Sequence, residues 1–121
     1  MAKLPDHVKA IADKHNIPGS AFWDCHGTWV CKHHALEKAA AMAGVKWQAP
    51  QILESDASKS VAILATGSIS DFAEWSIGEA SPKNNKNAYP WAMAEKRAKD
   101  RVILKLLGFA GEVYSEEEAD K

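Results

Sequence analysis

The chain has 121 residues, 46% of them hydrophobic and 26% charged, with a formal net charge of −1. That is enough for one soluble domain with a single core, unaided by disulfide or metal, and too little for two. No apolar run nears the ~20 residues of a membrane span. The opening Met1-Ala2-Lys3-Leu4-Pro5-Asp6 has no apolar signal region, and two cysteines make no disulfide framework, so a reducing, cytoplasmic setting is expected.

In chain order, Pro5-Asp6 opens a short helix with Val8, Ile11 and Ala12 on its apolar stripe, broken by Asn16-Ile17-Pro18-Gly19-Ser20. Ala21 to Cys31, with Phe22, Trp23, Trp29 and Val30 around His26-Gly27, reads as a hairpin. An Ala-rich helix from His33 to Ala43 stops at Gly44. Three strands follow: Val45 to Leu53, Ser60 to Ile69 and Asp71 to Glu79. The run Val61 to Ala65 reads as buried on both faces. In the third strand Ala73, Trp75 and Ile77 alternate with Glu74, Ser76 and Gly78, which predicts one wet face. After a polar, basic loop over 81–90, a long helix runs from about Trp91 to Leu107 and ends at Gly108. Short connections favour antiparallel pairing. The expected fold class is α+β: an antiparallel sheet of three to four strands with the long basic helix packed on one face. Residues 1–111 form the single domain. Residues 112–121 form an acidic tail, expected to be flexible or truncated and open to a protein partner.

The charge is unevenly spread. Residues 83–105 hold seven bases (Lys83, Lys86, Lys96, Arg97, Lys99, Arg101, Lys105) against two acids, a formal +5. Such a block suits an anionic partner such as nucleic acid, or a solvated helix face. Arg97, Arg101 and Lys105 recur every four residues and share one side of the helix. They form a groove for phosphates, or they pair internally with Glu95, Asp100 or carboxylates on the sheet. On the first reading an exposed Arg→Ala change there costs little stability. Ile103, Leu104 and Leu107 give the helix more apolar surface than one sheet covers, which predicts a homo-oligomer. Lys83 and Lys86, with Tyr89 and Trp91, mix cations and aromatics as single-strand binders do; the five tryptophans include further stacking candidates. Cys25, His26, Cys31, His33 and His34 cluster, but their spacing lacks the paired arms of zinc modules. No nucleotide-loop, nucleophile-elbow or two-metal pattern occurs, so neither catalytic residues, metal ligands nor a cofactor are assigned.

The Ala-rich helix ending in Gly44-Val45-Lys46-Trp47, the strands Val61–Thr66 and Ala73–Gly78, and the segment Tyr89-Pro90-Trp91-Ala92-Met93-Ala94-Glu95-Lys96-Arg97-Ala98-Lys99-Asp100-Arg101-Val102-Ile103-Leu104-Lys105-Leu106-Leu107-Gly108 follow one another in that order. This resembles the single-strand annealing superfamily, which includes the Rad fifty-two annealing domain and the phage essential-recombination-function proteins. The resemblance covers about residues 28–114. It implies binding of single-stranded DNA and ATP-independent annealing by rings or filaments of identical subunits, in phage-type recombination and repair. It also implies that Lys96, Arg97, Lys99, Arg101 and Lys105 contact phosphates as a group. The chain is shorter than the usual annealing core, and Glu116-Glu117-Glu118 begins where larger members continue. A single-strand binding module without annealing is the alternative, and a small metal-dependent nuclease or zinc protein is the second.

Overall fold

The computed structural model describes residues 3–55, 60–82 and 89–118. Helix α1 (Asp6–Lys14) starts after Pro5 with Asp6 in its first turn, where a carboxylate suits the helix dipole. Strands β1 (Phe22–Cys25) and β2 (Thr28–Cys31) form the expected hairpin. Its two-residue turn needs left-handed backbone at both positions: His26 has φ of 53° and Gly27 of 89°, and Gly27 donates its N–H to the Asp24 carboxylate at 2.8 Å. Helix α2 (His33–Ala43) ends at Gly44.

The expected strand over Val45 to Leu53 divides into β3 (Lys46–Trp47) and β4 (Gln51–Ser55), on either side of Gln48-Ala49-Pro50. Both pair antiparallel with the same side of β5 (Val61–Ile69), so together they form one broken edge row. Strand β6 (Phe72–Ala80) pairs with the other side of β5 along its full length. Helix α3 (Pro90–Leu107) has Pro at its first turn and ends at Gly108. Strand β7 (Val113–Ser115) then lies parallel to β2, and Glu116–Glu118 form a 3-10 turn. The fold class is α+β, with a long helix packed on an antiparallel sheet.

Helix α3 is the centre of the molecule. One side packs on the β5–β6 sheet through Ala94, Ala98 and Val102, against Val61, Ile63, Ala65 and Ala80. The opposite side sends Ile103, Leu104 and Leu107 into a second core with Val8 and Ala12 of α1, Leu36 and Ala39 of α2, Phe22, Phe109 and Val113. These three residues are therefore buried within one chain and offer no surface for assembly, contrary to expectation. The α1, α2 and hairpin layer supplies the cover.

Three further expectations are corrected. Only one face of β5 is buried, by Val61, Ile63, Ala65 and Gly67, while Ala62, Leu64 and Thr66 lie on a partly open face. In β6 the wet and dry sides are reversed. Glu74, Ser76 and Gly78 stand opposite the helix-facing Gly67, Ala65 and Ile63, and Ala73, Trp75 and Ile77 stand on the open face. Close approach decides this: a Cβ on Gly78 would lie 2.2 Å from the Ala94 carbonyl oxygen and 2.3 Å from the Ala98 nitrogen. Only glycine lets the helix sit so close. The acidic segment is also built into the fold. Val113 and Ser115 are buried and β7 extends the hairpin sheet, so the domain continues at least to Glu118.

Candidate nucleic-acid interface

Four residues of helix rise about 6 Å and two residues of strand about 6.7 Å. A cation every fourth residue of α3 therefore meets every second carbonyl on the free edge of β6. Arg97 Nη1 donates to the Glu79 carbonyl at 2.8 Å, Arg101 Nη1 donates to the Ile77 carbonyl, and Lys105 Nζ donates to the Trp75 carbonyl at 2.7 Å. The predicted stripe exists, and its first task is structural: it caps an edge strand that would otherwise offer unpaired carbonyls to another chain.

The three cations differ in what remains available. Arg97 is 8% exposed and also donates from Nε to the Glu117 carbonyl at 3.4 Å. Arg101 pairs with Glu79 at 3.0 Å and with the Glu118 carboxylate. Lys105 reaches round the edge to the open face, where its Nζ lies 5.5 Å from the centre of the Trp75 ring. Trp75 is 56% exposed. The internal-pairing alternative is thus met for part of the stripe, through Glu79, a carboxylate on the sheet as expected, and through Glu118, and not through Glu95 or Asp100.

Of the other expected residues that the structure describes, all but Lys96 lie apart from this rim. Lys99 is on the opposite flank of α3, 3.8 Å from Glu95 and 5.3 Å from the Trp47 ring. Lys96 is half-buried, 4.0 Å from the Glu117 carboxylate. Tyr89 and Trp91 are exposed at the start of α3, about 20 Å along the helix axis from Lys105. Lys83 and Lys86 fall outside the described residues. The structure therefore brings Arg97, Arg101 and Lys105 to one edge, with Lys96 nearby, and separates Lys99, Tyr89 and Trp91 from them.

Asp100 carries the least legible role. It is fully buried and accepts from His33 Nδ1 at 2.7 Å and from Ser115 Oγ at 2.5 Å. Its hydrogen bond and its charge hold His33 above the ordinary imidazole value, against the opposing effect of burial. The backbone N–H of His33 is bonded by Glu116 at 2.8 Å. Nothing local in the sequence joins residues 33, 100 and 116; the three elements meet only through the core. The neighbouring Cys31 thiol is pushed up to about 12 by burial and by Asp100 and Glu116. That disfavours the thiolate a zinc site needs. Among the described residues, no cluster of three His, Cys, Asp or Glu could hold a metal ion. No described helix is long and apolar enough to cross a membrane.

No protein-family model, curated protein or solved structure matches the chain.

Proposed function

We propose that the chain binds single-stranded DNA with little sequence preference and, as assembled copies, anneals complementary strands without ATP in phage-type recombination. The carrying observation is the rim where Lys105 is held by the Trp75 carbonyl close to the exposed Trp75 indole, one helical turn from Arg101 and beside a sheet face that no described element covers. The carbonyl orients Lys105 without cancelling its charge, while Arg101 is also countered by Glu79 and Glu118, and the indole offers a flat face on which any base can stack. A strand lying along β6 would meet charge and stacking surface together. Function then rests on positioning and not on bond chemistry. The annealing-protein-like core, an antiparallel sheet backed by a basic helix, is the finer reading of the fold that goes with this proposal.

Binding without annealing is the second reading, and burial of Ile103, Leu104 and Leu107 favours it, since it removes one reason for assembly. Anisotropy of a labelled ~30-nucleotide oligo-dT tests the proposal. Trp75→Ala is expected to weaken binding about 5- to 100-fold, the worth of one base stacked on an aromatic ring. Equal affinity of Trp75→Ala and the parent chain, or no binding by the parent, would overturn it.

A further inference from the structure

The acidic turn Glu116–Glu118 lies against the same cations. Glu118 Oε1 accepts from Arg101 Nε at 2.7 Å and also meets Nη2. Glu117 places its carboxylate 4.0 Å from Lys96, and its carbonyl accepts from Arg97. The turn is delivered by an anchored strand: β7 pairs with β2, and Ser115 Oγ bonds Asp100 and accepts the Glu117 N–H at 3.1 Å. Beside it lies an open hollow of about 480 Å³, whose lining includes Arg101, Lys105, Ser76, Tyr114 and Glu118. A carboxylate thus already stands at the wall of a cationic hollow.

We propose that Glu117 and Glu118 are a built-in competitor of the single strand, holding Arg101 and Lys96 until a phosphate replaces them. The inference rests on the nucleic-acid reading of this rim. Carboxylate and phosphate offer the guanidinium the same paired acceptors, so one excludes the other. The anchors of β7 are Val113, Ser115 and Glu116, all upstream, so Glu117 and Glu118 can swing off while β7 stays zipped, at the loss of the Glu117 N–H bond to Ser115 Oγ and of the Arg97 bond to the Glu117 carbonyl. The turn is an electrostatic gate: only a polyanion engaging several cations at once displaces it, and isolated anions do so poorly.

The test is oligo-dT binding by the full chain carrying Glu117→Gln and Glu118→Gln, at low salt. Affinity is expected to rise about three- to tenfold, the size set by two part-exposed ion pairs, and the gain should shrink as salt is raised. Asp6→Asn with Asp13→Asn on α1 removes the same charge elsewhere and should leave affinity unchanged. An equal rise in that control would reduce the effect to general charge and overturn the gate. Unchanged affinity in the Glu117/Glu118 variant, with the parent chain binding, overturns the gate and leaves the binding reading standing. Failure of both to bind overturns the binding reading and the gate with it. A second measurement needs no variant: amide exchange at Glu117 should quicken when oligo-dT is bound, and unchanged or increased protection would contradict release.

Discussion

Gly78 fixes the distance between α3 and the sheet. Its added Cβ would meet backbone of Ala94 and Ala98, which cannot rotate away. Gly78→Ala should therefore cost about 3 kcal/mol, roughly 10 °C in Tm, measured by thermal melting. His33 and Asp100 form the second fixed point. Because His33 is held above its ordinary value, its contribution to stability is fully present below about pH 6.5 and is lost as pH rises through the folded value. Lys96 opposes that protonation, while Asp100 and Glu37 favour it. Melting temperature should fall as pH rises above about 6.5 in the parent chain and stay flatter in His33→Gln. A parallel fall in both would contradict the assignment. Asp100→Ala, which strands His33 and Ser115, should cost about 3 kcal/mol at about pH 6.5.

The elements divide into those whose signals are local and those whose signals are not. Helices α2 and α3, the β1–β2 hairpin and the β5–β6 pair follow from periodicity, from Gly44 and Gly108, and from short turns. Strand β7 has three residues and a partner more than eighty positions away, so no local pattern announces it. The side of β6 that faces the helix is misread for a different reason: apolar alternation marks Ala73, Trp75 and Ile77, but the helix needs closeness more than it needs apolar bulk, and Gly78 supplies it. The basic stripe is legible as a stripe, while its first partners, the β6 carbonyls, emerge only when helix rise is laid against strand rise. This separates its members. Arg97→Ala removes a buried donor from the Glu79 carbonyl and should destabilise by about 1–3 kcal/mol. Lys105→Ala should change stability by no more than about 0.5 kcal/mol. Chemical denaturation of the two variants tests the ranking, and equal losses would refute it.

At the scale of the whole molecule, the β5–β6 sheet is covered by α3 on one face and by no described element on the other. Ala62, Leu64, Thr66, Trp75 and Ile77 lie there, and the β4 edge beside it carries exposed Ile52 and Leu53. Side chains of α3 already occupy three carbonyls on the β6 edge, so the assembly that the annealing proposal requires would fall to the β4 edge or the open face. Light scattering of the chain with oligo-dT should give a mass well above the 13.2 kDa of one copy. A clean monomer with and without DNA would leave the binding module and remove annealing. Both readings turn on whether the Arg101–Lys105–Trp75 rim holds phosphates. The slope of log K against log salt for oligo-dT, taken on the parent chain and on Lys105→Ala, reads this directly. Binding by the parent should weaken steeply with salt, and the slope of the variant should be smaller by about 0.7, the share of one single-strand phosphate. A flat salt response, or an identical slope in both proteins, would contradict phosphate binding at the rim.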